Sequence, residues 1–459
     1  MKEKNGEPVK KRDSGMIVNI SIAVLFLAVL GLTAAIIALL NITAASNADV
    51  PFRMEQLTSS NDESKVEVSG YLVPAFIGIS AGGEQKGISA GINIVSEIYH
   101  MITPVLYDVL AERCEAVSAS RWDAAAMEGT YVYVKYHAPL PYQVIHAFAG
   151  GTEETYASSI SIYELFILPD KGFRIVARTA DGAVYEFDGT YESYFSAEDL
   201  VELMQSYRRN ILDFVFSDGT TPDGSGKEPV FTERVRTKNM LVTGKTAALI
   251  QNNDDDITEL LRLMDFNPDK LYAHEESDIG FVYVENHGVM RLLDDCVEYT
   301  AASSNGGIDI GTFLGYYDRE KYGLLDYISA ACTIMTRMRN LNTHYMGGDA
   351  DIVLDSASSD DDGSLVLRFV YTFDNLRLAG CEPALEVRFR DGAVKSLRLY
   401  SVSVRNLGEQ YESFFEQWYY DMAVSRCPEG SYIADVRLVY KTDFYSESIN
   451  AEWSVVYGS

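Results

Sequence analysis

The sequence is poor in basic residues and in proline. Lysine and arginine total 38 against 67 acidic residues in a chain of 459, so the formal net charge is −29. Proteins that bind DNA or RNA need a basic surface for the phosphates, and this balance argues against that class. Twelve prolines are too few for a proline-rich rod. With 47% hydrophobic residues, the chain has enough apolar side chains for packed cores.

Cysteine and histidine are also scarce and widely spaced. The five cysteines are Cys114, Cys296, Cys332, Cys381 and Cys427. Their odd number leaves at least one thiol unpaired or available to another chain. The sequence has no C-x-x-C motif, and its six histidines form no H-x-x-x-H pair, so it predicts neither a disulfide scaffold nor a zinc site. We expect buried single cysteines, no metal and no cofactor.

One hydrophobic run is long enough to cross a bilayer. Residues 20–40 read ISIAVLFLAVLGLTAAIIALL, and these 21 residues would span roughly 30 Å as a helix. A basic cluster, Lys10-Lys11-Arg12, precedes the run and should stay in the cytoplasm. We therefore predict a cytoplasmic basic tail at 1–15, a single transmembrane helix at 16–42 and an acidic remainder outside the cell membrane. The alternative is a signal peptide cut after Ala48, but the apolar part of such peptides usually covers only about 7–15 residues.

Two small residues lie four positions apart within the predicted span. At this spacing Gly31 and Ala35 would share one helix face and allow a second membrane helix to approach closely. The alternative is that alanine is simply common in membrane helices. We take Gly31 and Ala35 as the candidate contact with a partner helix.

The exterior part predicts an α+β fold of mainly antiparallel sheets with helices on one face. Aromatic and β-branched runs such as Tyr131–Tyr136 predict strands, and Asp181-Gly182 predicts a hairpin turn. Ser196 and Asp199 form a capping-box pattern at a helix start. Helices are also predicted over 92–117, with a new start at Thr103-Pro104, and over 409–422. The predicted organisation is unit 1 at 49–216, a linker at 217–229, unit 2 at 230–347, and a strand-rich unit 3 with one helix at 348–459.

No catalytic residue is predicted. Gly87-Ile88-Ser89-Ala90-Gly91 matches the G-x-S-x-G motif of serine hydrolases, which requires a strand directly before the serine. The preceding residues, AGGEQK, predict a polar loop instead, so a hydrolase using Ser89 is only a third hypothesis.

Gly244-Lys245-Thr246 lacks the earlier glycine of a phosphate-binding loop. The acidic clusters 254–256 and 360–362 are interpreted as a helix start and a solvated turn.

Three segments resemble the YycH and YycI family of extracytoplasmic regulators, which accompany WalK-type sensor kinases in Gram-positive bacteria. They are YVYVKYHAPLPYQVIHAFA at 131–149, the Asn-Pro turn and strand pair within 264–299, and the final strands at 433–440 and 451–453. Glu452 is a departure, because the family usually has proline before the tryptophan. The resemblance implies a non-enzymatic regulator.

The leading hypothesis is therefore a single-pass protein that modulates a two-component sensor histidine kinase through transmembrane and ectodomain contacts. A second, similar regulator is a possible further partner. No nucleic acid or small-molecule substrate is expected. The alternative is a tethered module that binds or assembles cell-envelope components without a kinase.

Overall fold

A computed structural model describes most of the chain after residue 67. The described residues are 68–112, 114–151, 160–169, 172–189, 194–208, 211–218, 227–269, 272–276, 280–304, 306–317, 322–341, 346–413, 422–423, 425–428, 431–442 and 448–458. The predicted transmembrane helix at 16–42, with Gly31 and Ala35, lies outside them. Within the described ranges, no helix is both long enough and apolar enough to cross a membrane.

The described segments alternate strands with a few helices. The strands of the N-terminal part are β1 Phe76–Ala81, β2 Glu84–Ile88, β3 Cys114–Val117, β4 Tyr131–Pro141, β5 Ser161–Pro169, β6 Phe173–Thr179, β7 Val184–Asp188, β8 Leu212–Asp218 and β9 Lys227–Phe231. The later strands are β10 Val235–Gly244, β11 Tyr272–Glu276, β12 Gly280–Glu285, β13 Gly288–Leu292, β14 Cys296–Ala301, β15 Ile308–Asp309, β16 Gly347–Gly348, β17 Asp351–Ser359, β18 Leu365–Phe373, β19 Leu376–Ala379, β20 Leu385–Arg390, β21 Ala393–Tyr400, β22 Val402–Ser413, β23 Tyr432–Lys441, β24 Ser448–Ile449 and β25 Ala451–Gly458. The helices are α1 Ile92–Leu110, α2 Ala119–Ala126, α3 Tyr142–Phe148, α4 Ala197–Ser206, α5 Asp254–Leu263, α6 Gly311–Leu314 and α7 Leu324–Leu341, with short 3-10 helices at Val68–Tyr71 and Thr246–Asn252.

The first nine strands form one antiparallel sheet in the order β3-β7-β6-β5-β4-β1-β2-β8-β9. Its central strand β4 is buried at almost every position, so both faces of the sheet are covered there. Helix α1 contacts β1, β6 and β7, and strand β17 contacts β4. The predicted α+β class with antiparallel pairing is confirmed.

An aromatic cluster fills the centre of this sheet. Phe76 of β1 packs against Tyr133, Phe214 and Phe231, with ring centroids 5.3–5.8 Å apart. The paired residues Gly78 and Gly87 make room for these rings. A Cβ on Gly87 would lie 2.5 Å from the Phe76 ring. Gly87 is therefore required by packing, whatever the role of the motif to which it belongs.

The remaining strands form two further sheets. Ten strands follow the path β11-β12-β13-β14-β21-β20-β18-β19-β23-β25, with β15 and β17 attached to β21 and β18, and four others form the sheet β16-β22-β10-β24. Two of these pairings, β16 with β22 and β19 with β23, are parallel.

The pairing of β14 with β21 joins strands from both sides of position 348, and residues 64–459 form one compact unit. The three-unit division stays a prediction. The strands flanking the predicted linker, β8 and β9, pair as a hairpin, and the segment 219–226 between them lies outside the described residues.

Two helix predictions are wrong in part. Helix α1 runs through Pro104 rather than starting again there, and it ends at Leu110. Proline removes one backbone donor, but the continuous buried stripe from Ile94 to Leu110 outweighs this local cost. The predicted helix at 409–422 is also incorrect at its start, because residues 409–413 belong to β22 and pair with β10. Residues 414–421 lie outside the described part of the chain.

The predicted turn at Asp181-Gly182 is confirmed, because it joins β6 to β7. Buried cysteines were predicted, and this holds for Cys296 and Cys332, whereas Cys114, Cys381 and Cys427 are half-buried. Helix α7 was not predicted, although Ile328, Ala331, Cys332 and Met335 repeat at intervals of three and four residues and are buried.

The capping box of α4 gives a first test of the fold. The Ser196 hydroxyl accepts the backbone N–H of Asp199, whose carboxylate accepts the backbone N–H of Ser196. Ser196→Ala should lower the free energy of unfolding by about 1 kcal/mol, because the helix start loses its cap. The control is Ser206→Ala at the exposed end of the same helix, which should change stability by less than about 0.5 kcal/mol. Denaturant unfolding of the full chain measures both, and equal effects would contradict the assigned cap.

Candidate functional site

Distant parts of the chain meet around a small cavity that several charged side chains border. The lining comes from the β1–α1 region, from β4 and β5, from Pro229 and Phe231 of β9, and from β19, β23 and β25. The cavity measures about 50 Å³. One water needs roughly 10–15 Å³ of such space, so the cavity holds a few water-sized groups and is far smaller than the ~300–1,000 Å³ pockets of drug-sized ligands.

A large bulge in β4 directs a histidine into this cavity. Lys135 pairs with Glu164 of β5, but the next paired residue is Leu140, opposite Ile162. Four residues of β4, 136–139, therefore lie opposite the single residue Tyr163. Bulges re-aim side chains and often lie beside functional sites. Here the bulge presents His137, which is only 6% exposed and interacts with the side chain of Asn375.

A tight turn forms the opposite wall. Asp374 and Asn375 join β18 to β19, and both have positive φ, of 53° and 68°. Aspartate and asparagine tolerate this conformation better than other side chains. The Asn375 amide donates to the backbone oxygens of Pro74, at 2.9 Å, and Ser89, at 3.2 Å. These bonds fix the amide orientation, and the Asn375 side chain also hydrogen-bonds to His137.

A buried network of charges lies beneath the cavity. Lys135 Nζ lies 2.7 Å from Asp435 Oδ1 and 4.0 Å from Glu164 Oε1. Arg178 pairs with Glu164 at 2.6 Å, and Arg437 Nε lies 3.2 Å from Asp435 Oδ2. Burial alone would raise the pKa of Asp435, but the attraction of Lys135 and Arg437 outweighs it and holds this pKa below its usual value. Asp435 is thus kept ionised by its two cationic neighbours.

His137 is held neutral by its surroundings. Burial disfavours its charged form most strongly, and the positive charges of Arg377 and Arg437 add to this effect. Asn375 and Asp435 act in the opposite direction but are weaker. The result is a pKa lowered to about 3, so the imidazole is uncharged at neutral pH.

Ser89 also borders the cavity, in a context that the sequence did not predict. The residues before it form strand β2, and α1 begins just after it, so the argument that a strand was missing is wrong. The positive φ of this turn falls on Gly91, at 91°, and Ser89 is not among the described non-glycine residues with positive φ. Its Oγ is buried, with no hydrogen-bond partner in the described ranges. Ser89 therefore lacks both the strained backbone and the contacting base of an activated nucleophile.

The other sequence motifs lie away from the cavity. Gly244-Lys245-Thr246 ends β10 and leads into a 3-10 helix, with a hydrogen bond between Thr246 and Ser401. The cluster at 254–256 forms the first turn of α5, and Asp362 faces Arg390 at a hairpin turn. Within the described ranges, no three acidic, histidine or cysteine side chains come together as a metal site.

Sequence reasoning missed the residues that form this site. Lys135 was taken as part of an ordinary strand, although a lysine on the same face as Tyr131 and Tyr133 is a signal of a buried charge. Pro139 within the same strand was a second signal, because proline in a central strand indicates a bulge. No signal could have identified Asp435 as the partner of Lys135, since 300 positions separate the two.

Comparison with known proteins identifies the fold but not a family. No protein-family model and no curated protein matches the sequence. The crystal structure of YycH from Bacillus subtilis aligns with a TM-score of 0.52 over 85% of this chain and 95% of that one, at 10% sequence identity. An uncharacterized protein from Eubacterium rectale ATCC 33656 aligns with a TM-score of only 0.33, at 10% identity, over 50% of this chain and 81% of that one. The chain thus has a YycH-like α+β fold.

The buried ion pair predicts a large asymmetry between two substitutions. Asp435→Ala should lower the free energy of unfolding by about 3–5 kcal/mol, because it leaves Lys135 and Arg437 buried without their carboxylate. The control is Arg368→Ala, which breaks an ion pair with Glu386 that is about half exposed, and should cost less than about 1 kcal/mol. Denaturant unfolding of the full chain compares the two. A cost for Asp435→Ala no larger than the control would refute the importance of the network.

The neutral His137 predicts a specific acid sensitivity. Because its pKa is about 3 in the folded protein and about 6.5 when unfolded, the unfolded state binds the extra proton between these values. The free energy of unfolding should therefore have its full value above about pH 6.5 and fall as the pH drops below that value. Its decrease should be steeper than that of His137→Gln by about 1.4 kcal/mol per pH unit. Unfolding of both proteins from pH 8 to pH 4.5 measures this. Parallel curves below pH 6 would show that His137 is not held neutral.

Proposed function

We propose that this protein is a membrane-anchored, non-enzymatic regulator of a two-component sensor histidine kinase. The observation that supports the proposal most is the YycH-like fold, which extends over 85% of the chain. The predicted basic tail and transmembrane helix fit the same role, since they would place the bulk of the chain outside the cell membrane. In this proposal a second regulator of similar fold is a further partner.

The described residues begin with the 3-10 helix Val68–Tyr71, which packs against α7. The Tyr71 hydroxyl lies 2.7 Å from the Thr336 hydroxyl, and the Tyr71 ring meets Phe369 edge-on at 6.2 Å. In this proposal, a change in the position of α7 is transmitted first to Val68–Tyr71.

The mechanism we propose is a bias on helix packing. The exterior part contacts neighbouring proteins, and the membrane helix packs against the kinase through Gly31 and Ala35. Such contacts shift the kinase only if they differ in free energy between its two signalling states.

Substitution of the small residues tests the membrane contact. Gly31→Leu combined with Ala35→Leu should prevent close helix approach while preserving membrane insertion, because both changes stay apolar. We expect less kinase to co-purify with the full chain and a changed kinase output in cells. The matched control is Val29→Leu with Ile36→Leu, on the opposite side of the predicted helix.

Unchanged co-purification and unchanged output in the Gly31 and Ala35 variant would remove the proposed contact. Crosslinking in cells distinguishes the proposed kinase regulator from the alternative, a tethered module that binds cell-envelope components. Recovery of cell-wall polymers without any sensor kinase would replace the regulator proposal with that alternative.

A further inference from the structure

Strands β2 and β8 separate from one another and leave an open groove between them, the β2–β8 groove. The last residues of the two strands to pair are Lys86 and Asp213, and the same register would next pair Gln85 with Phe214. That pair does not form in the described structure, where β8 continues with β9 alone. The groove is bordered by the β1–β2 hairpin, the end of α2 and the start of β8, and it measures about 840 Å³. This volume lies within the ~300–1,000 Å³ range of ligand pockets.

The position of β8 at the groove is fixed by contacts in the core. The Phe214 ring packs on the Phe76 ring with centroids 5.3 Å apart, and it lies so close to Gly78 that a Cβ there would be 2.7 Å from it. At the base of the groove, the backbone N–H and the hydroxyl of Thr232 donate to the backbone oxygen of Asp213, at 2.9 and 3.2 Å. The separation of the two strands is therefore built into the packing of the sheet.

The outer edge of β8 is a run of unpaired backbone groups. Residues 214–218 pair with β9 on one edge, and no described strand pairs with them on the other. Successive residues of a strand direct their N–H and C=O groups to opposite edges, so alternate residues of this run point theirs away from β9. Such an edge is where an extended peptide adds itself as a further strand.

Two exposed apolar side chains border the same groove. Met127, at the end of α2, is 77% exposed, and Val215 of β8 is 48% exposed. Apolar side chains that converge in one open groove indicate a contact surface for another apolar group. Because the side chains of a strand alternate between two faces, an added strand would offer every second side chain to Met127 and Val215.

The charges of the lining leave one carboxylate to a partner. Asp213 is paired with Lys86 at 2.6 Å, and Glu128 is paired with Arg121 at 3.3 Å. Glu84 is exposed and forms no ion pair within the described ranges. A basic side chain of the occupant would therefore find its counter-charge at Glu84.

We propose that the β2–β8 groove binds an extended segment of a partner protein, which pairs as a strand with the outer edge of β8. The segment has apolar side chains at alternate positions, which contact Met127 and Val215, and a lysine or arginine beside Glu84. This inference does not rest on the proposed kinase partnership, because it concerns the chemistry of the bound segment.

A synthetic peptide serves as the probe. The fluorescently labelled peptide acetyl-Lys-Val-Thr-Val-Thr-Lys-amide alternates valine with threonine and has a lysine at each end. It should bind the full chain saturably in a fluorescence anisotropy titration. N-methylation of its adjacent central threonine and valine should weaken binding at least threefold, because one of two adjacent amides faces the edge of β8 and loses its hydrogen bond.

Exposed apolar residues provide matched variants. Met127→Gln combined with Val215→Gln should weaken binding of the peptide about tenfold, because its valines lose their apolar contacts. The control is Tyr317→Gln combined with Leu407→Gln, whose side chains are 70% and 36% exposed and do not border the groove. The control variant should bind the peptide as the wild type does.

Glu84→Gln tests the charge contact separately. It should weaken binding of the lysine peptide about twofold to fivefold, as expected for an exposed ion pair. It should leave unchanged the binding of a second peptide that has glutamine in place of both lysines. A change in the overall structure of the groove would weaken both peptides equally, and that result would overturn the assigned role of Glu84.

Hydrogen exchange shows where the peptide binds. The peptide should slow exchange of backbone amides in residues 214–218 and leave the distant edge strand β11 unchanged. Absence of saturable binding, equal affinity for the N-methylated peptide, or unchanged exchange at 214–218 would overturn the proposal. Slow exchange at 214–218 that depends on protein concentration without peptide would assign the groove to a second copy of this chain, which would also overturn it.

Discussion

The buried ion pair between Lys135 and Asp435 is the constraint on which the described structure most depends. It connects β4, at the centre of the nine-stranded sheet, to β23, near the end of the chain. Both side chains are about 95% buried. Separating them would cost far more than separating an exposed pair, because the desolvation of each charge is repaid by its charged neighbours. Lys135 has Asp435, and Asp435 has Lys135 and Arg437. The association of the two regions is thus fixed by electrostatics as well as by apolar packing.

This constraint explains why the surrounding groups are arranged as they are. Glu164 pairs with Arg178 on one side of the Lys135–Asp435 pair, and Arg437 pairs with Asp435 on the other. The positive side chains then hold His137 neutral, and the β4 bulge gives its ring a position at the cavity. An apolar pair in place of Lys135 and Asp435 would often be as stable, so the charges are better explained by the specific register and polar cavity that they impose.

The features predicted from sequence are those decided by neighbouring residues. The Asp181-Gly182 hairpin and the Ser196 capping box depend on chemistry within four positions, and both were predicted. The errors at Pro104 and at 409–413 have a different origin. At Pro104, burial against the sheet overrides a local helix breaker, and at 409–413 pairing with the distant β10 overrides a helical pattern. The YycH-like layout was reached through resemblance, because sheet order cannot be derived from local periodicity.

The cavity was beyond sequence reasoning for the same physical reason. Ser89, His137 and Asn375 come together only after three distant segments pack, and each has an ordinary local explanation in the sequence. The motif around Ser89 was assessed wrongly from the sequence in one respect. It was rejected because no strand was predicted before the serine, whereas β2 does precede it. The structure argues against a nucleophile on a different ground, because Ser89 lacks the strained backbone of that motif. What distinguishes this site is therefore not a motif but a buried group of polar and charged side chains that comes from distant segments, a property that only a folded chain has.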